Sequence, residues 1–101
     1  MPKHIIETVM FKLNEGVTRE DFAQAAQSMS AYVTGCAGFI ARRLSCEEDG
    51  TWIEHIEWTD MDAAKAAAAG LGTDPGNAEC LSAIDGSSVK MSHSELEISV
   101  N

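Results

Sequence analysis

Positive charge is scarce in this chain. Seven Lys and Arg residues stand against sixteen Asp and Glu, a formal net charge of -9, and Arg42-Arg43 is the one adjacent basic pair. A surface of that sign repels phosphate backbones and anionic headgroups, so neither nucleic acid nor a membrane is expected as a partner. Cysteine is also sparse: Cys36, Cys46 and Cys80 are odd in number and lack C-x-x-C spacing, which argues against a disulfide framework or a zinc site. Reduced thiols in a reducing compartment fit best. No apolar run reaches membrane-spanning length, and Met1 to Lys3 leads into a strand pattern rather than a long apolar helix, so a cytoplasmic protein is expected. No glycine-rich phosphate loop follows the first strand, which leaves no flavin or nicotinamide signature and predicts no cofactor.

What is present is the pattern of one small α+β domain over 1–101. From His4 to Leu13, one parity carries Ile5, Glu7, Val9, Phe11 and Leu13, and the other His4, Ile6, Thr8, Met10 and Lys12. Both are largely apolar, so this strand is covered on both sides. Asn14-Glu15-Gly16 is turn chemistry, and Thr18, with Asp21 three residues on, caps a helix whose Phe22, Ala25, Ala26, Met29 and Val33 share one face. That helix is expected to end at Gly35. "FIARRLSCE" and "TWIEHIEW" read as a hairpin about Glu48-Asp49-Gly50, and Asp60 caps an alanine-dense helix stopped by Gly70 and Gly72. Asp74-Pro75 opens a short helix expected to end near Asp85-Gly86, and "SSVKMSHSELEISV" alternates as a last strand.

The resulting order, β-α-β-β-α-β, is a ferredoxin-like split βαβ plan: one four-stranded antiparallel sheet with helices on a single face. Because the first strand is apolar on both parities, the free face should be buried too, most simply against a second copy of the chain. A homodimer is the expectation.

Several of these stretches resemble the dimeric α+β barrel superfamily, which includes antibiotic-biosynthesis-type monooxygenases, haem-degrading enzymes, muconolactone isomerases and stress-responsive barrel proteins. "TVMFKLNEGVTREDF" resembles its first strand, turn and helix start, Ala37-Gly38-Phe39 echoes its "PGF"-type loops, and "WIEHIEWTDMDAAKAA" resembles the third strand entering the second helix. Trp58 matches the tryptophan that ends the third strand in many monooxygenase-like members. The resemblance implies ferredoxin-like subunits paired into a barrel with a small-molecule cavity inside, and a strand order of 4-1-3-2. It also marks departures. The His-Pro-x-His signature of the stress-responsive branch reads Asp74-Pro75-Gly76-Asn77 here, the haem-degrading tryptophan and histidine align with Ala67 and Asn77, and Glu7 stands where the stress-responsive branch places a cavity histidine.

Glu7 is the residue that asks for an explanation, since it sits at a core position of the first strand. In the implied order its cross-strand partners come from the last and third strands, which nominates His93 together with Trp52, Glu54 and Trp58. The expected cavity holds Glu7 and His93 as catalytic acid and base, joined by a hydrogen bond, with Val9, Phe11, Trp52, Glu54 and Trp58 as its substrate-binding wall. The competing reading pairs Glu7 structurally with Arg42, Arg43 or a group of the partner chain. His4, His55 and His93 lie on three strands without ligand spacing, so no metal site is expected. Cys36 reads as an inert small residue, and the run Ala66 to Ala69 as a surface for close helix–sheet approach. The expected function is a small-molecule-binding homodimeric barrel: a cofactor-independent monooxygenase-like, or isomerase- or cyclase-like, enzyme for an aromatic or polyketide-like substrate. The alternative is a non-catalytic ligand-binding or stress-related dimeric module.

Overall fold

The two apolar parities of the first segment become the two faces of an inner strand. In the computed structural model, which describes residues 3–101, β1 (Ile5–Leu13) lies between β3 (Trp52–Trp58) and β4 (Ile84–Glu95), with β2 (Phe39–Cys46) beyond β3. Met1 and Pro2, the first two residues of the expected 1–101 domain, lie outside the described residues. All neighbouring strands are antiparallel and the sheet order is β2-β3-β1-β4, the ferredoxin-like arrangement expected. The β1–β3 register sets Ile5 opposite Trp58, Glu7 opposite Ile56, Val9 opposite Glu54 and Phe11 opposite Trp52. One parity of each strand therefore makes a continuous face.

That face is the one the helices cover. Helix α1 (Arg19–Thr34) starts where the Thr18 hydroxyl accepts the Asp21 N–H at 3.1 Å and ends at Gly35, and α2 (Met61–Leu71) starts where the Asp60 carboxylate accepts the Ala63 N–H at 2.8 Å. Their buried sides form two separate clusters. Ile5, Ile56 and Trp58 pack with Val33, Ala64 and Ala67 at one end. Phe11 and Trp52 pack with Phe22, Ala26, Met29 and Cys80 at the other, the Phe22 ring standing edge-on 4.8 Å from Trp52 and 5.6 Å from Phe11. Gly38, at φ +83°, lets the start of α2 approach: a Cβ there would lie 2.5 Å from that of Ala63 and 2.6 Å from the Thr59 hydroxyl.

The chain departs from expectation after α2. Asp74-Pro75 opens a 3-10 turn, Pro75–Asn77, followed by α3 (Ala78–Ser82), which stops short of Asp85-Gly86. Those two residues belong to β4. Asn14 holds the junction, its N–H donating to Ala83 O at 2.9 Å and its side-chain amide to Ser82 O at 3.0 Å and Ile84 O at 3.3 Å. An irregularity between Met10 and Lys12 then absorbs the change of register. At its other end β4 stops at Glu95, so Leu96 to Val100 do not continue the strand, and Ile98 and Val100 are exposed.

The opposite face of the sheet carries Ile6, Thr8 and Met10 from β1, Ile53, His55 and Glu57 from β3, and Arg43 from β2. No helix packs there, and it mixes apolar and polar groups. No helix among the described residues is long and apolar enough to cross a membrane.

Candidate functional site

Between the two core clusters the sheet and helices do not meet, and a cavity of about 410 Å³ remains. Such a volume suits a small organic ligand. Its floor is β1 and β3, through Glu7, Val9, Phe11, Glu54, Ile56 and Trp58. Its roof is built from α1 and α2, where Ala67 and Ala68 leave empty the room that larger side chains would fill, and the exposed Val89 and Met91 of β4 stand at its rim. The lining is overwhelmingly apolar.

The parity that carries Glu7, Val9, Phe11, Glu54 and Trp58 faces a cavity, and that cavity lies under the helices of one chain. Trp52 is on the same parity yet is packed against Phe22 beyond the cavity wall. Sequence reasoning did not single out Tyr32, Met29, Leu71 or Cys80, which also line it. Met29 had been assigned to the helix face that makes the core, and the low side-chain volume of the alanine run was the available signal for an opening.

Glu7 has no arginine. One carboxylate oxygen accepts the Trp58 indole N–H at 3.0 Å, and the Glu7 pKa is raised above the usual 4.5, mainly by burial. The Trp58 hydrogen bond and the nearby His93 pull it down, and Glu54 pushes it up again. His93 stands directly opposite Glu7 in the β1–β4 register, but no hydrogen bond joins them among the described residues. The expected bonded dyad is thus not formed, because Trp58 holds Glu7 instead. His93 Nε2 is shut off from solvent without a partner, a costly state for a polar atom. His93 is not among the residues that line the cavity.

Glu54 is differently placed. Its two oxygens accept from Arg42 Nε at 2.9 Å and Nη2 at 2.8 Å, a fork-to-carboxylate pair, and Arg42 Nη1 goes to Ala26 O at 2.9 Å and Ser30 Oγ at 3.1 Å. Arg42 is therefore not available to Glu7, and Arg43 points to the other face. This overturns the arginine pairing as the reason for Glu7. Cys80, near the same pair, is inert: burial pushes its thiol up to about 11. The Tyr32 hydroxyl donates to Ala67 O and is kept protonated by burial. His4 Nδ1 contacts Glu57 at 2.7 Å, and His55 stands opposite Thr8 on the uncovered face, so the three histidines do not converge. All three cysteines are free.

No family model matches the sequence, and no curated protein matches it. Solved structures do match its fold. The chain is similar to a variant of SnoaB, described as a cofactor-independent oxygenase from Streptomyces nogalater, with a TM-score of 0.77 and 17% identity over 97% of both chains. Unmodified SnoaB matches with a TM-score of 0.66 and 19% identity over 98% of this chain and 96% of that one. A candidate antibiotic biosynthesis monooxygenase from Chloroflexus aurantiacus matches with a TM-score of 0.67 and 7% identity over 97% of both. At these identities the likeness is one of fold.

Proposed function

We propose that this protein binds a small aromatic or polyketide-like molecule in the sheet–helix cavity and oxygenates it without a cofactor, as a cytoplasmic homodimer. The observation that carries the reading is Glu7: an acid with no cationic partner, set in an apolar cavity, with His93 opposite it in the β1–β4 register. A carboxylate so placed is a base looking for a proton. A phenolic O–H entering the cavity would donate to Glu7, beside which His93 stands as a charge neighbour, with Val9, Phe11 and Trp58 holding the ring. An electron-rich phenolate supplies the electrons for oxygen itself: four leave the ring, one oxygen atom ends as a quinone carbonyl and the other as water. The fold shared with a cofactor-independent oxygenase supports this chemistry without specifying it. The homodimer would cover the half-buried Met10 and Ile53 on the face without helices, and sedimentation of the purified chain reads that directly.

A second reading, a binding protein without turnover, draws on the missing Glu7–His93 hydrogen bond and on the engagement of both Glu54 oxygens by Arg42. One experiment separates them. Oxygen uptake is followed with a panel of phenols and quinols for wild type, Glu7→Gln and His93→Gln. Uptake that falls at least about ten-fold in either variant supports proton handling by that residue. Saturable binding with no uptake by wild type would establish the second reading.

A further inference from the structure

The cavity wall has a charge pattern that constrains what can enter. Among the residues lining it, Glu7 and Glu54 bear the ionisable carboxylates, and no lysine or arginine takes part. Arg42 lies behind Glu54, and its donors are spent on both Glu54 oxygens, on Ala26 O and on Ser30 Oγ. A ligand carboxylate would therefore meet Glu7 with no guanidinium or ammonium to offset it, inside an apolar chamber and on a chain whose formal net charge is -9. A hydroxyl meets the opposite situation, since Glu7 keeps an oxygen free of the Trp58 N–H.

We infer that the cavity selects its ligand by charge: it accepts an uncharged aromatic ring system presenting an O–H to Glu7 and rejects the same ring system carrying a carboxylate, sulfonate or phosphate. This rests on the cavity being a ligand site and adds a substrate class to that reading. Proton transfer from the hydroxyl to Glu7 leaves the chamber's total charge unchanged, because the carboxylate becomes neutral as the phenolate forms. An acid substrate would add a second negative charge from the start. Aromatic acids would need prior decarboxylation or esterification before they could enter.

The test uses β-naphthol and hydroxynaphthoic acid, which share a bicyclic ring and differ by the carboxylate, titrated calorimetrically near neutral pH into wild type and Glu7→Gln. Wild type should bind the neutral probe at least about ten-fold more tightly than the acid, as one uncompensated like-charge contact in a poorly solvated site implies. Glu7→Gln keeps an oxygen for Trp58 while removing the charge, so the gap should shrink to within about three-fold, chiefly through stronger binding of the acid. Equal affinities for wild type, or an undiminished gap in the variant, would overturn the charge rule. The wild-type comparison stands even if the variant folds poorly. Preference without oxygen uptake would sink the oxygenase reading and leave the rule in place, turnover of both probes would do the reverse, and no binding of either probe would overturn both.

Discussion

Replacing Arg42 by methionine removes four hydrogen bonds at once: two to Glu54, one to Ala26 O and one to Ser30 Oγ. The two side chains of the ion pair are only 9% and 10% exposed, so solvent cannot take over the role of the guanidinium. Breaking a buried pair from one side strands a charge and costs roughly 3–5 kcal/mol, a large part of the about 5–15 kcal/mol that holds a typical domain together. At roughly 4–8 °C per kcal/mol for a domain of this size, the melting temperature should fall by at least about 12 °C. The double variant Arg42→Met/Glu54→Leu has no stranded charge and should regain most of the loss, whereas Arg42→Lys, with one point charge in place of a fork, should lie between. Urea unfolding of these four proteins and of Glu54→Leu, with a common m-value, completes the cycle. A cost below about 1 kcal/mol for Arg42→Met, or a double variant no better than the single, would refute the view that this pair is desolvated and mutually dependent.

Glu7→Leu should destabilise by about 1–3 kcal/mol, because the Trp58 indole N–H loses its acceptor, while Glu7→Gln retains one; urea melts compare the two. Burial raises the Glu7 pKa in the folded state, so its ionisation penalises folding: the contribution is fully favourable below the ordinary 4.5 and is lost as pH rises through the raised value. Glu7→Gln should therefore gain stability relative to wild type as pH climbs from 4.5 to neutrality, and a relative loss by the variant over that range would contradict the burial argument. Ala68→Leu, at an exposed lining position of α2, should project into the cavity and weaken binding of β-naphthol by at least about ten-fold with little change in melting temperature, measured by titration and thermal shift. Gly38→Ala combines a positive φ with a clash against Ala63 and should cost about 1–3 kcal/mol by urea unfolding.

Much of the architecture could be read from local rules. Thr18 and Asp60 announce two helix starts, Gly35 a helix end, and Glu48-Asp49-Gly50 the hairpin, because caps and turns are decided by a few adjacent residues. The cavity's side of the sheet could not be read that way. Ile5, Val9 and Phe11 on one parity and Ile6 and Met10 on the other make both faces of β1 apolar, and apolarity does not say which covering layer leaves a gap. That gap depends on how α2, built of alanine, sits over the sheet. The Arg42–Glu54 pair depends equally on register, since Arg42 stands opposite Ile56 and reaches Glu54 diagonally. Asp85-Gly86 reads as a helix end because both residues favour turns, yet Asn14, distant in sequence, holds that segment at the start of β4.

The division of the interior into two clusters has a consequence for how the molecule should behave when heated or diluted into denaturant. The two clusters, one gathered around Trp58 and the other around Phe22 and Trp52, are joined by the strands beneath and by α1 above, which gives Val33 to the first and Phe22, Ala26 and Met29 to the second. A bound guest would act as a keystone, touching Val33 and Ile56 on one side and Phe22 and Met29 on the other. Occupancy should then slow amide exchange in α1 and α2 together, tying α2 to the helix that already spans both clusters.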